Sequence, residues 1–211
     1  MLQGYYRDIG YLERSIEDLI KSREIIEQIK SIADERDRLN KKVNELRVTV
    51  EMIESQQEQR RNEVASELST ATVEILKQDL ERQDQFSSAD IVQFDFGTNS
   101  ISVNGETTFS ESSTVFLKNA FLLSMLAVSA NDSRLRFPRF LLLDGIENGG
   151  MEQERSHNLQ KLILSLSDSL AVDHQIIITT AEISPEIEGS AATVGEPYTQ
   201  ENKSLKFARA V

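Results

Sequence analysis

The feature that most constrains this chain is a long segment without helix breakers. Residues 11–87 contain no glycine and no proline and are rich in glutamate, arginine, lysine, glutamine and leucine. Apolar residues recur there at alternating steps of three and four, which is typical of a coiled coil. They are Ile9, Leu12, Ile16, Leu19 and Ile26, followed by Leu39, Val43, Leu46, Val50 and Ile53. One helix of this length would extend on the order of 110 Å, so we expect it to pack against another helix, from this chain folded back or from a second chain.

The apolar pattern slips once and weakens once. Charged residues fill positions 34–38, which predicts a local phase break, and a second weakening spans residues 56–63. On periodicity alone the segment is either a dimerisation rod or one helix of an arm whose other helix lies outside this sequence. We predict a coiled-coil arm over residues 1–88 and a separate domain over residues 89–211.

Short alternating segments follow the coil. Residues 91–96 alternate apolar and polar, residues 97–100 supply turn chemistry, and residues 101–103 alternate again before Asn104 and Gly105. This pattern predicts a small β-hairpin.

Residues 109–152 read as a polar turn, an apolar helix, a basic loop, a buried strand and a glycine-rich turn. The serines at 110, 112 and 113 are good N-cap residues, and they lie where free N–H groups and the positive helix end favour an anion. Ordinary capping is the alternative interpretation of these serines. The apolar run 140–143 predicts a parallel strand covered on both faces. It delivers Asp144 to the strand's carboxyl end, where ligands bind in open α/β sheets.

The rest of the chain continues the alternation of helix and strand. We predict a helix over residues 153–170, a strand over residues 175–180 and a last edge strand over residues 204–207. The inward stripe of that helix consists of Leu159, Leu162, Ile163, Leu166 and Leu170. The predicted fold class is α/β.

The order of these elements resembles the C-terminal lobe of ABC-type ATPases, most closely the branch of SMC, double-strand-break-repair and RecF-like proteins. Residues 109–113 (Phe-Ser-Glu-Ser-Ser) occupy the place of the signature, and residues 140–144 resemble the Walker B strand. Residues 148–151 resemble the D-loop, and residues 175–180 the strand that leads to the switch position. The resemblance implies the C-terminal half of an ABC-type ATPase head behind a coiled-coil arm.

The resemblance also implies a mechanism with ATP and Mg²⁺ as cofactors. In ABC-type heads two lobes meet with ATP between them, and the signature of one closes on the γ-phosphate held by the other. A Walker B aspartate holds Mg²⁺, and the D-loop crosses the seam between heads. The implied nucleotide-binding residues are Ser110, Ser112, Ser113, Asn148, Gly149 and Gly150, and the implied metal ligand is Asp144.

The chain departs from the family pattern at the catalytic positions. The family places its catalytic glutamate directly after the Walker B aspartate, where this chain has Gly145. Glu147 is the nearest carboxylate and Glu152 the fallback, so Glu147 is the candidate catalytic residue, against an ordinary solvated glutamate. At the switch position, where histidine is common, the chain has Thr180 or Ala181, and a threonine hydroxyl there can still bond phosphate or water. These changes imply slow hydrolysis or a site that binds ATP as a clamp.

The sequence contains no G-x-x-x-x-G-K-[ST] phosphate loop. Without that loop's lysine and backbone N–H groups, the chain alone cannot hold nucleotide phosphates in the family's way. We therefore expect a fragment of a longer ATPase, or a subunit that receives its N-terminal lobe from another chain; the fragment is favoured. The expected partners are that lobe, a second head in an ATP-dependent dimer, a partner helix for the coil, and DNA.

Three functions remain open from the sequence. The first is the C-terminal part of an SMC-like ATPase in DNA maintenance, repair or defence against foreign DNA. The second is a non-hydrolysing ATP clamp with the same fold. The third is a coiled-coil interaction module that uses no nucleotide.

Composition narrows the context. The 211 residues include no cysteine, which excludes disulfides and thiolate metal sites. No signal-peptide pattern and no unbroken apolar run of membrane-spanning length occurs, so we expect a cytoplasmic protein without membrane contact. The net charge of −12 argues against broad nonspecific nucleic-acid binding by this piece alone. The arginines at 134, 136 and 139 form a solvated loop or a contact to a DNA backbone, and His157 and His174 are too isolated for a metal site.

Overall fold

The computed structural model describes residues 2–95, 97–195, 198–199 and 202. Its helices are α1 (Leu2–Leu76), α2 (Asp84–Ser87), α3 (Glu111–Asn131) and α4 (Gln153–Ser169), and its strands are β1 (Val92–Asp95), β2 (Ser100–Val103), β3 (Phe140–Leu143) and β4 (Gln175–Ile178). Helices and two small sheets therefore combine in a mixed fold that is compatible with the predicted α/β class. The chain divides into two compact units, Met1–Arg60 and Arg61–Val211.

The first unit is helical over its described residues, as the apolar periodicity predicts. The charged stretch at 34–38 stays helical, and the guanidinium of Arg38 pairs with the carboxylate of Glu35 at 2.7 Å. Apolar side chains of the predicted seam, such as Leu39, Leu46 and Ile53, are about half exposed. The predicted phase break and the predicted partner helix could be tested only with a second helix packed against α1. Both therefore stay predictions.

Helix α1 ends at Leu76, earlier than the absence of helix breakers up to Ser87 predicts. A turn follows, in which the Asp79 carboxylate accepts the N–H of Leu80 at 2.9 Å. The short α2 then buries Phe86, whose side chain is 1% exposed. The helical part of the segment therefore ends before Ser87, and Phe86 joins the core of the second unit.

The core of the second unit joins the end of α1 to α2, α3, α4 and both sheets. Helix α3 lies at its centre and is apolar on most sides, which is the pattern of a buried helix. The fully buried apolar side chains of this core include Leu76, Phe86, Val103, Phe116, Ala120, Leu123, Leu126, Ile146 and Leu159.

Helix α3 also meets the length and composition of a membrane span. Its most apolar window has a mean hydropathy of 1.4, and 56% of that window is buried inside the protein. A core helix of a soluble domain meets the same two criteria.

The predicted hairpin is confirmed. Strands β1 and β2 pair antiparallel with Val92 opposite Val103. The side-chain amide of Asn104 fastens the preceding segment, because its Oδ1 accepts the N–H groups of Asp90 and Ile91 at 3.0 and 3.1 Å. The N–H of Val92 donates to the Ser69 hydroxyl on α1 at 2.9 Å, which attaches the hairpin to the second unit.

Strands β3 and β4 pair in parallel, with Leu143 opposite Ile178, as the sequence predicts for two α/β strands. The prediction that β3 is covered on both faces was wrong. Leu141 and Leu143 are buried against the core, but Phe140 is 46% exposed and Leu142 is 58% exposed. The core packs against only one face of this sheet in the described part of the chain. The edge strand predicted at residues 204–207 lies outside the described residues.

Candidate functional site

The carboxyl end of β3 presents Asp144 beside the end of β4. The Thr179 hydroxyl donates to the Asp144 carboxylate, and it accepts the N–H of Gly145 at 2.9 Å. The N–H of Thr179 donates to the carbonyl of Leu143 at 3.0 Å, which extends the parallel pairing by one residue. An exposed carboxylate is thus held in one orientation by the segment that follows the neighbouring strand.

Two features of the next position favour glycine. Gly145 has a φ of +61°, in the left-handed region that most side chains avoid. A Cβ at this position would also collide with the side-chain amide of Asn148. A glutamate directly after Asp144, where the resembled family has its catalytic carboxylate, would therefore be strained in this turn and would displace the Asn148 side chain.

Glu147 instead reaches the residues that follow β4. We call residues 179–182 the switch segment. The Oε1 of Glu147 accepts the N–H of Ala181 at 2.6 Å. Its Oε2 is buried, and within the described part of the chain no group donates a hydrogen bond to it. Because buried carboxylate oxygens are normally paired, Glu147 stands out among the described carboxylates. The fallback residue Glu152 pairs with Arg82 at 2.9 Å.

Thr180 lies in the switch segment but contacts a different group from Thr179. Its hydroxyl donates to the carbonyl of Glu182 at 3.0 Å. The 1% exposed Gln160 of α4 fixes the same stretch, since its amide donates to that carbonyl at 2.9 Å and accepts the N–H of Ser184 at 2.8 Å. Thr179, rather than Thr180, is the hydroxyl next to Asp144. We call Asp144, Glu147, Thr179 and Thr180 the turn–switch group.

The serines at the start of α3 form a second cluster, here called the serine group (Ser110, Ser112 and Ser113). Ser110 is the N-cap residue, and its Oγ accepts the N–H of Ser113 at 3.3 Å. Its hydroxyl donates to Ser113 Oγ at 2.9 Å. Ser113 is fully buried, Ser112 is half-buried and Ser110 is exposed. The capping interpretation is confirmed, and phosphate binding by these serines stays a prediction.

The glycine-rich turn at residues 148–151 lies against the start of α3. Gly149 has a φ of +79°, and a Cβ there would meet the side chains of Glu111 and Val115 at 3.0 Å. Asn148 and Gly150 are exposed. The glycine-rich turn therefore connects the turn–switch group to the helix that carries the serine group.

Arg155 is the main residue of this region that sequence reasoning missed. It is 2% exposed, in the first turn of α4, and it bonds both to the carboxylate of Asp79 and to the hydroxyls of Ser112 and Ser113. A signal existed: the inward stripe of α4, extended back by one turn from Leu159, reaches position 155. Gln160 was also missed. It is a polar residue beside Leu159 in the same apolar stripe, and the stripe was interpreted from its apolar residues alone.

Of the remaining candidates, His174 and Arg134 have structural partners, whereas the Nε2 of His157 is buried without a hydrogen-bond partner in the described part of the chain. The ring of His174 joins the Ser167 hydroxyl at 2.7 Å and the Val172 carbonyl at 2.8 Å, which closes the loop before β4. Arg134 pairs with Asp132 at 3.3 Å. Among the described residues, no group of three or more histidine, aspartate or glutamate side chains is arranged to hold a metal ion.

Compared with protein-family profiles, curated proteins and solved structures, the chain gives no match. Its function is therefore inferred from the geometry above and from the order of motifs in the sequence.

Proposed function

We propose that this chain supplies the signature and Walker B half of an SMC-like ATPase head, which engages a second head around ATP in DNA maintenance, repair or defence against foreign DNA. The observation that carries the proposal is the arrangement at the ends of β3 and β4. Asp144 is oriented by Thr179, and Glu147 of the same turn is oriented by Ala181. One carboxylate for a phosphate-bound cation and a second for a water are what phosphoryl transfer requires.

Asp144 suits a magnesium ion that arrives with the nucleotide. Mg²⁺ takes one or two carboxylates and completes its shell with waters and phosphate oxygens. The single exposed carboxylate of Asp144 fits this habit, and a dedicated site of several protein ligands is absent from the described residues. When bound, the ion would neutralise phosphate charge, and Thr179 would keep the Asp144 carboxylate turned toward it.

Glu147 would act as the general base. The Ala181 N–H engages Oε1. Oε2 has no donor among the described residues but is buried, so the Glu147 side chain must turn outward when nucleotide binds before Oε2 can take a proton from the attacking water. The water oxygen bonds to the γ-phosphorus as the bond from that phosphorus to the ADP oxygen breaks, and the water proton moves to Glu147 Oε2. Positioned general bases contribute roughly 100- to 10,000-fold in rate.

The half-covered sheet supports a partner lobe. β3 and β4 form a two-stranded parallel sheet, and such sheets are normally buried on both faces. The exposed side chains of Phe140, Leu142 and Ile177 leave one face apolar and open. A lobe with the phosphate-binding loop would cover it. We call this chain together with such a lobe, from the same reading frame or from a partner subunit, the assembled head.

ATP turnover by the assembled head tests the proposal. We expect Mg²⁺-dependent hydrolysis that is abolished by Asp144→Ala, while Asp132→Ala, a change of a carboxylate outside the turn–switch group, leaves the rate unchanged. If no phosphate-binding lobe is encoded in the reading frame or a neighbouring gene, or if Asp144→Ala retains full turnover, the nucleotide proposal is wrong.

Two alternatives each rest on one observation. A non-hydrolysing clamp is favoured by the geometry at Gly145, which keeps a carboxylate away from the position next to Asp144. A coiled-coil module without nucleotide is favoured by the exposed apolar residues of α1. The clamp predicts ATP-dependent association without turnover, and the module predicts association that ignores ATP.

A further inference from the structure

We propose that Arg155 is a positioning residue that fixes the serine group relative to the segment at the end of α1. The nucleotide role of the serines rests on the proposed function; their positioning by Arg155 does not.

The guanidinium of Arg155 connects three parts of the second unit. Its Nε donates to Asp79 Oδ1 at 3.0 Å, and its Nη2 donates to Asp79 Oδ2. Its Nη1 donates to Ser112 Oγ at 3.3 Å and to Ser113 Oγ at 3.1 Å. One planar side chain therefore ties the start of α4 to the turn after α1 and to the first turn of α3.

The connection is buried and charge-balanced. The side chains of Arg155 and Asp79 are 2% and 1% exposed. The guanidinium also lies against two rings, with its central carbon 5.1 Å from the centroid of Phe116 and 6.0 Å from that of Phe86. A guanidinium enclosed in this way has few alternative positions. Its hydrogen bonds therefore also restrict the positions of the Ser112 and Ser113 side chains.

Arg155 also sets the direction of the serine hydroxyls. A guanidinium only donates, so the oxygens of Ser112 and Ser113 must act as acceptors toward it. The proton of the half-buried Ser112 is therefore directed away from Arg155. Ser113 Oγ additionally accepts from Ser110, which extends the chain of hydrogen bonds to the exposed cap residue. Arg155 therefore constrains the hydroxyls of Ser112 and Ser113, while the exposed Ser110 donates its own proton inward to Ser113.

A purely structural ion pair is the alternative, and a double substitution separates the two. Replacing a buried ion pair by apolar residues of similar volume is often neutral or stabilising. The double variant Asp79→Leu/Arg155→Met should therefore fold, while it removes every hydrogen bond from position 155 to the serines. Arg155→Lys is the second variant; it keeps a cation for Asp79 but loses the planar fork.

Amide hydrogen exchange of the 211-residue chain is the measurement. In both variants we expect the N–H groups of Ser113 and Thr114, which bond to Ser110, to exchange about tenfold faster or more, while amides near Leu126 on the same helix change only with global stability. Arg82→Met is the matched control, because Arg82 also bridges the segment after α1 to α4, through Glu152 at 2.9 Å and Glu154 at 3.2 Å. It should leave the exchange of Ser113 and Thr114 unchanged. Unchanged exchange in the Arg155 variants would overturn the positioning role.

A second readout concerns the nucleotide. In the assembled head, the double variant should weaken ATP-dependent association about tenfold or more at an unchanged urea midpoint. If exchange changes but the unsubstituted head shows no response to ATP, the proposed function fails and the positioning role stands. If exchange changes and ATP-dependent association is retained in full, the serines are positioned by Arg155 but do not act in head engagement.

Discussion

At the scale of single residues, the geometry of one turn determines where a catalytic carboxylate can lie. Gly145 has a positive φ and borders the Asn148 amide, so a glutamate directly after Asp144 would be strained. Glu147, two residues further on, turns back to the N–H of Ala181. Under the proposed function, Glu147 takes the role that the resembled family gives to the residue directly after its Walker B aspartate.

Glu147→Gln should remove turnover and keep ATP binding. The amide oxygen can still accept from Ala181, but the amide cannot take a proton from water. We expect kcat of the assembled head to fall on the order of 100-fold or more, with little change in nucleotide affinity measured by equilibrium binding. Glu152→Gln is the control and should retain turnover, since Glu152 pairs with Arg82. Equal turnover in wild type and Glu147→Gln would remove Glu147 from the mechanism.

A second prediction for a single residue concerns the pKa of Asp95 and its effect on stability at low pH. The Asp95 carboxylate accepts the N–H of Gly97 at 2.7 Å, and this bond, with further bonds from Thr98, lowers the pKa of Asp95 below its ordinary value. A lowered pKa contributes stability above the unfolded-state value, and that contribution is lost as the pH falls through the folded-state value. A titration of the side-chain carboxyl carbon by NMR should place the midpoint below that of an unstructured aspartate. In Gly97→Pro, which removes the donating N–H, the midpoint should move up; a wild-type midpoint at or above the ordinary value would refute the prediction.

At the scale of elements, helix α3 supplies many of the buried residues in the core of the second unit. Leu123 is fully buried and Leu122, its neighbour, is 37% exposed. Leu123→Ala should lower the free energy of unfolding by about 2–5 kcal/mol, because it deletes buried methyl groups and leaves a cavity. Leu122→Ala should cost about 1 kcal/mol or less. Urea unfolding followed by circular dichroism measures both, and equal costs would contradict the burial of one face.

Elements whose signals are local could be predicted from the sequence. The cap at Ser110, the hairpin around residues 97–100 and both parallel strands follow from capping, turn chemistry and short apolar runs. Features that depend on distant partners could not. The early end of α1 reflects the burial of Phe86, and the ion pair of Asp79 with Arg155 joins residues far apart in the sequence.

In the candidate site, too, residues with a local signal could be predicted from the sequence, and contacts with distant residues could not. Asp144 and Glu147 could be named because the motif order places them at a strand end. The anchoring of Glu147 by Ala181 and the bracing of the switch segment by Gln160 depend on how α4 and β4 meet. For Arg155 and Gln160, the only signal in the sequence is that each is a polar residue within the inward stripe of α4.

At the scale of the whole molecule, each unit has apolar surface that the described residues leave open. In the first unit it is the row of apolar residues along α1, and in the second it is the face of the β3–β4 sheet with Phe140 and Leu142. Larger exposed apolar patches typically mark interaction sites. We interpret the first as a site for a partner helix and the second as a site for a lobe that binds phosphates.

Head engagement is tested by the mass of the assembled Glu147→Gln head in sedimentation velocity, with and without MgATP. Because blocked hydrolysis should trap the engaged state, we expect a monomer without nucleotide or with ADP, and a dimer with ATP. Ser110→Arg should abolish that dimer, because it places a bulky side chain where the serine group meets the second head. The same mass with and without ATP, or an ATP-dependent dimer that persists in Ser110→Arg, would contradict head engagement through the serine group.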